Sequence, residues 1–209
     1  MITPYPDASL NKIYDLLFCD DLELFRPADG DVSVSPWKEL FGRRANADEL
    51  RAIVYAEESE ARTRALAALR LREIGQPLTD KLLFGTVIEV GMETGLDALA
   101  AYADGTIRYI NHAGSLFVWD TRTEHSDAMV AALLDSSRNV VSQIGPWDGH
   151  RLDPPSTGNA RLTFLVSDGL YFGEGPFEAL AQDPMGGRVI AAGFQIMTFL
   201  FQNYSGQSE

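Results

Sequence analysis

The chain has 209 residues, of which 30 are Asp or Glu and 17 are Lys or Arg, so its formal net charge is −13 at pH 7. With 45% hydrophobic residues it is too apolar to be disordered, and its negative charge opposes binding to nucleic-acid phosphates, so we expect no nucleic-acid partner. A single cysteine, Cys19, excludes a disulfide scaffold and is typical of a protein from a reducing compartment.

The first 80 residues are predicted to be helical. Ser9 is a candidate N-cap, and the apolar residues after it fall on one helical face: Leu10, Ile13, Tyr14 and Leu17. A loop rich in Pro and Gly covers 26–36 and precedes a short turn over 37–41. Two further helices are predicted, one beginning at Ala47 with Asn46 as its cap and one over 57–74.

The hydrophobic pattern changes to that of strands after residue 80. Four strands are predicted, over 82–90, 96–103, 106–111 and 115–120. Asp104-Gly105 is a favoured two-residue hairpin turn, because such turns need positive φ angles that Gly adopts easily. The segment 82–120 is therefore predicted to be an antiparallel meander.

The rest of the chain alternates helices and strands. A helix capped by Thr123 or Ser126 is predicted to run to Ile144, where Gly-Pro ends it, and a long loop follows over 146–160. Two strands over 161–167 and 170–174 enclose a second hairpin turn, Asp168-Gly169. The last helix, over 187–202, is apolar on most faces, which indicates deep burial or contact with a partner subunit.

These elements predict an α+β fold with an antiparallel sheet of about six strands in the order ββββ-α-ββ-α. We expect the helices of this body to lie on one face of the sheet, and a helical segment to precede it. Residues 1–209 are predicted to fold as a single domain, with 1–80 as the helical N-terminal segment and 81–209 as the α+β body. The N-terminus has no signal-peptide pattern, and no apolar run is long enough for a membrane span, so we expect a cytoplasmic protein.

Four segments resemble an uncharacterised family of bacterial proteins. They are Ile13–Cys19, Gly95–Tyr102, Gly145–Asp148 and Arg161–Gly187, and the resemblance extends over nearly the whole chain. It implies a bacterial cytoplasmic origin and one intact unit. It implies no activity, cofactor or catalytic residue.

The motifs for known chemistry are weak. Cys19 lies in an apolar helical stretch, which favours a buried core residue over a nucleophile. The loop 148–153 holds two carboxylates and a histidine, but it lacks a recognised metal-ligand spacing and Arg151 opposes a cation there. Pro184–Arg188 is a weak candidate for an anion site at a helix N-terminus. We therefore predict no catalytic residues, no metal and no cofactor.

Two hypotheses about function remain open. The first is a non-catalytic interaction or scaffold protein that forms homo-oligomers or binds another soluble protein, suggested by the apolar last helix. The second is a small-molecule-binding protein or enzyme with one pocket formed by the segments 109–112, 147–150 and 171–174. Its candidate ligand-binding residues are Tyr109, His112, Trp147, Asp148, Tyr171 and Glu174. We favour the first hypothesis.

Overall fold

A computed structural model describes residues 3–205 of the chain. Its N-terminal part contains α1 (Ala8–Leu16), a 3-10 helix (Leu22–Phe25), α2 (Trp37–Phe41), α3 (Ala47–Tyr55) and α4 (Ala61–Glu73). The strands are β1 (Leu83–Met92), β2 (Gly95–Tyr102), β3 (Ile107–Ile110), β4 (Leu116–Trp119), β5 (Asn159–Val166) and β6 (Gly169–Pro176). The helices of the body are α5 (Glu124–Val141), α6 (Phe177–Gln182) and α7 (Gly186–Ser205).

The six strands form one antiparallel sheet in the order β4-β3-β2-β1-β5-β6. This confirms the predicted α+β fold and its ββββ-α-ββ-α order. Both predicted hairpins are present, with Gly105 at φ +87° in the turn between β2 and β3, and with Gly169 as the first residue of β6, directly after the turn from β5. Local turn chemistry therefore determines where these two hairpins reverse.

Helices cover both faces of the sheet. α5 and α7 pack together on one face, as predicted, against a core that includes Ile88, Leu99 and Phe164. The N-terminal helices cover the other face, where Phe84 and Val87 join their core. Neighbouring residues of a strand point to opposite faces, so the nearly continuous apolar run of β1 serves both layers.

Several helix termini differ from the predictions. The helix predicted over 57–74 is α4 (Ala61–Glu73), the helix predicted to run to Ile144 ends at Val141, and the last helix extends over Gly186–Ser205 instead of 187–202. The start of α1 differs as well. Its N-cap is Asp7, whose carboxylate accepts a hydrogen bond from the Ser9 backbone, so the prediction of Ser9 as the cap was wrong. α5 begins with Thr123 and Ser126 capping each other reciprocally. α7 and β1 lie close together at Gly193. A Cβ atom at this position would come within 2.4 Å of Cδ1 of Ile88.

The two edges of the sheet are covered by other parts of the chain. The loop after α5 follows β6, where the Trp147 backbone N–H donates to the Leu170 carbonyl at 2.7 Å. At the opposite edge the Tyr204 hydroxyl on α7 hydrogen-bonds both the N–H and the carbonyl of Val118. These contacts use backbone groups that an uncovered edge strand would offer to another chain. Within residues 3–205, no helix combines the length and the hydropathy needed to cross a membrane.

Candidate interaction face and cavities

After Arg188 in its first turn, α7 presents an exposed surface without charged side chains. Residues 189–204 contain no Asp, Glu, Lys or Arg, although 22% of the chain is charged. Their inward side chains are buried against the sheet and α5, while Phe194 remains 47% exposed and Phe201 40% exposed. The sequence pattern of this helix predicted deep burial or contact with a partner. In the structure, α7 is buried on one side and exposed on the other.

A shallow groove of about 380 Å³ lies between α5 and α7 on this outer surface. We define the α5–α7 face by the residues that line it: His125, Met129, Phe194, Gln195, Thr198, Phe199 and Gln202. The His125 ring lies 5.6 Å from that of Phe199, which joins the two helices across the groove. The face thus combines exposed apolar area with neutral polar groups.

A second, apolar cavity of about 370 Å³ lies on the other side of α7, between this helix and the sheet. We call it the α7–sheet cavity. Its lining residues are Ile88, Val90, Gly91, Met92, Asp97, Leu99, Tyr109, Gly158, Phe177, Ile190, Gly193, Phe194 and Met197. Asp97 and Tyr109 are the members of this lining whose side chains carry polar atoms.

Asp97 is held by His112. Its Oδ1 accepts the backbone N–H of His112 at 2.7 Å and lies 2.9 Å from Nδ1 of the same residue. Tyr109 lines the same cavity, and burial together with the nearby Asp97 charge raises the pKa of Tyr109 well above its usual range. The carboxylate therefore orients the imidazole. No hydroxyl or thiol of the described residues hydrogen-bonds to His112 as a nucleophile would.

The structure brings together only part of the predicted pocket. Tyr109 and Asp97 line the α7–sheet cavity and His112 hydrogen-bonds to Asp97, whereas the segments 147–150 and 171–174 lie at the β6 side of the sheet. Four strand spacings separate β3 from β6, which is about 19 Å. The prediction of one pocket shared by all three segments is therefore not met.

The remaining predicted site residues have separate surroundings. Trp147 is 43% exposed and packs edge-on against Phe172, with 5.3 Å between ring centroids. Asp148 lies in the exposed loop after α5. Tyr171 is buried on the α5–α7 side of the sheet and donates to Asp168 at 2.8 Å. Glu174 faces the other side, where its Oε2 accepts from Arg161.

A polar cleft of about 710 Å³ lies between the N-terminal helices and the loop 150–154. Arg151 fixes this loop by ion pairs with Asp15 at 2.8 Å and Asp20 at 2.9 Å, and its guanidinium lies 4.1 Å from the ring centroid of Phe18. Two carboxylates therefore balance this cation and hold the loop 148–153 against the N-terminal helices. Within residues 3–205, no three His, Cys, Asp or Glu side chains are grouped to hold a metal ion.

A buried charged row crosses the sheet beneath this cleft. Glu89, Arg161 and Glu174 are register partners on β1, β5 and β6, and the first two are almost completely buried. Glu89 lies 3.7 Å from Arg161 and accepts a 2.6 Å hydrogen bond from Tyr14, while its Oε2 has no hydrogen-bond donor. Burial raises the pKa of Glu89, although Tyr14 and Arg161 oppose that shift.

Two weaker candidates lose their support in the structure. Cys19 is buried, as predicted, and burial raises the pKa of its thiol far above the usual range, which opposes a nucleophilic thiolate. At the start of α7, the Asp183 carboxylate accepts the backbone N–H groups of Met185 and Gly186. An internal carboxylate thus occupies the proposed anion site over Pro184–Arg188.

Comparison with known proteins gives no relative from which a role could be transferred. No protein-family model matches the sequence, and no curated protein is significantly similar to it.

Proposed function

We propose that the chain is a non-catalytic interaction protein that self-associates through the α5–α7 face. The observation that carries this proposal is the exposed, charge-free surface of α7 on a chain of net charge −13. A second copy carries the same negative charge and is repelled over most of its surface. Association is least opposed where neither copy carries charge, and burial of Phe194 there contributes hydrophobic free energy.

The size of the face suits a modest homodimer. α7 has 20 residues and is about 30 Å long, and two adjacent helices about 10 Å apart present a strip of roughly 600 Å². On α5 this strip also includes the exposed ion pair of Asp135 with Arg138. A stable interface buries about 800 Å² per partner. The strip approaches that area, and a twofold axis would place the same residues of both copies against each other.

The same face argues against a strongly charged partner. No Asp, Glu, Lys or Arg lines its groove, so the groove offers no ion pairs with such side chains by which a basic or acidic protein could be selected. Another soluble protein with an apolar patch remains the alternative occupant. A cytoplasmic location is part of the proposal and is supported by the single cysteine, Cys19.

The test is a pair of variants that add the same charge on opposite sides of the molecule. Thr198→Glu places a carboxylate in the α5–α7 groove, where the native hydroxyl bonds only within the helix, to the Phe194 carbonyl. Ala52→Glu places one on the exposed surface of α3, which belongs to the opposite helical layer. Both variants change the net charge by the same amount.

Sedimentation equilibrium then compares the three proteins at several concentrations. The unmodified chain and Ala52→Glu should show the same dimer dissociation constant, and Thr198→Glu should weaken it at least tenfold. The proposal is wrong if the unmodified chain is monomeric throughout, or if both variants dissociate a dimer equally. Circular dichroism of each variant verifies that α7 remains helical.

A further inference from the structure

The α7–sheet cavity is a candidate binding site that self-association does not explain. Its volume of about 370 Å³ lies at the lower end of the range for small-molecule pockets, about 300–1,000 Å³. Aliphatic and aromatic side chains form most of its wall, and Met92 and Met197 add flexible thioethers that adapt to a ligand. The cavity is therefore sized for one small molecule with an apolar body.

Asp97 gives the cavity a polar end of defined chemistry. An ionised carboxylate has about four acceptor positions, and both contacts from His112 fall on Oδ1 of this one. Acceptor positions on the carboxylate are therefore left for a further donor. The Asp97 side chain is 20% exposed, so solvent reaches the carboxylate where it borders the apolar space.

Charge selects among the possible head groups. A ligand carboxylate would meet Asp97 and a chain of net charge −13, both of which repel it. A neutral alcohol could donate one hydrogen bond, whereas an ammonium group donates a charge-assisted bond of about twice the strength. We propose that the α7–sheet cavity binds a small organic amine, with the ammonium group on Asp97 and the apolar body between β1 and α7.

Three six-carbon probes test this assignment: n-hexylamine, 1-hexanol and hexanoate. The protein is labelled with ¹³C at its methionine methyl groups and each probe is titrated in by NMR. Met92 and Met197 line the cavity, while Met129 lies in the α5–α7 groove and Met185 lies exposed before α7, so they serve as internal controls. Hexylamine should shift the Met92 and Met197 signals saturably and leave the other two unchanged.

Two variants separate recognition of the head group from filling of the cavity. Asp97→Asn keeps the shape and an oxygen for the His112 N–H, and it should weaken hexylamine at least tenfold while hexanol is unaffected. Val90→Phe fills the cavity with a ring and should abolish the response to both probes. Hexanoate should produce no saturable shift at either methionine.

Several results would overturn the proposal. These are equal affinity for hexylamine and hexanol, tighter binding of hexanoate, shifts confined to Met129 or Met185, or no saturable response to any probe. If Asp97→Asn does not fold, the comparison of the three probes on the unmodified protein still decides whether the amine is selected.

Discussion

Tyr14 and Glu89 form a 2.6 Å hydrogen bond between the first helix and the centre of the sheet. The two residues are 75 positions apart, and both are buried. Without this bond, the closest cation to the Glu89 charge would be the Arg161 guanidinium, at 3.7 Å. The bond therefore couples placement of α1 to the stability of a buried carboxylate.

Tyr14→Phe should lower the free energy of unfolding by about 1–3 kcal/mol, because it leaves the Glu89 carboxylate buried without a hydrogen-bond donor. Urea denaturation measures the effect. Tyr55→Phe is the matched control, since its hydroxyl also bonds a carboxylate, Asp80, but at the surface. Equal small losses of unfolding free energy for both variants would show that the buried hydrogen bond stabilises the fold no more than the exposed one.

Glu89 should also make stability depend on pH. Burial raises the pKa of Glu89 in the folded state, so above about pH 4.3, the ordinary glutamate value, the folded chain binds more protons than the unfolded chain. The contribution of Glu89 to stability is therefore fully present below that pH and is lost as pH rises through the folded pKa.

Urea denaturation from pH 5 to pH 8 compares the unmodified chain with Glu89→Gln, which cannot titrate. The stability of the unmodified chain relative to the variant should fall as pH rises and then level off. A relative stability that rises with pH would mean that Arg161 and Tyr14 dominate over burial and hold the pKa low.

Arg151 should prove necessary for the order of the loop after α5. Arg151→Ala removes the ion pairs to Asp15 and Asp20, which are partly exposed, so we expect a loss of about 1–3 kcal/mol rather than the larger cost of a fully buried pair. Proteolysis within 146–158 should become faster. Arg138→Ala, which breaks an exposed pair with Asp135, should change stability by less than about 0.5 kcal/mol.

The hydroxyls of Thr86 and Ser137 provide a further test, at the contact of α5 with β1. Thr86 Oγ1 donates to Ser137 Oγ at 2.8 Å, and Ser137 donates to the Leu133 carbonyl. Ser137→Ala leaves the buried Thr86 hydroxyl without its acceptor and should cost about 1–3 kcal/mol.

Thr86→Val combined with Ser137→Ala removes both buried hydroxyls, so the double variant should lose less stability than the sum of the two single variants. Ser136→Ala, at the neighbouring exposed position, should have almost no effect. Strict additivity of the two buried substitutions would contradict the coupling. Thermal and urea denaturation give the four free energies of the cycle.

The parts of the fold that depend on neighbouring residues were predictable. Asp104-Gly105 forms a hairpin because its turn chemistry acts within two residues, and the period of the apolar residues gave α5 and α7. The placement of the N-terminal helices on the second face was not predicted, because it depends on contacts such as Tyr14 with Glu89 across 75 positions.

In the candidate sites, too, features set by neighbouring residues were predictable and features set by long-range contacts were not. The charge-free run of 189–204 is visible in the sequence, and it led to the interaction hypothesis. The union of Asp97 with His112 and Tyr109 depends on the pairing of β2 with β3 and on the turn that follows β3. The buried charged row could have been predicted from the sequence. Glu89 lies within the apolar β1 and Arg161 near the start of the apolar β5, where charged residues are unusual.

Native mass spectrometry of the unmodified chain over a range of concentrations is the most direct test of self-association through the α5–α7 face. The account predicts a species of twice the 23.0 kDa chain mass that grows with concentration and is lost in Thr198→Glu but kept in Ala52→Glu. A single 23.0 kDa species at every concentration would contradict it.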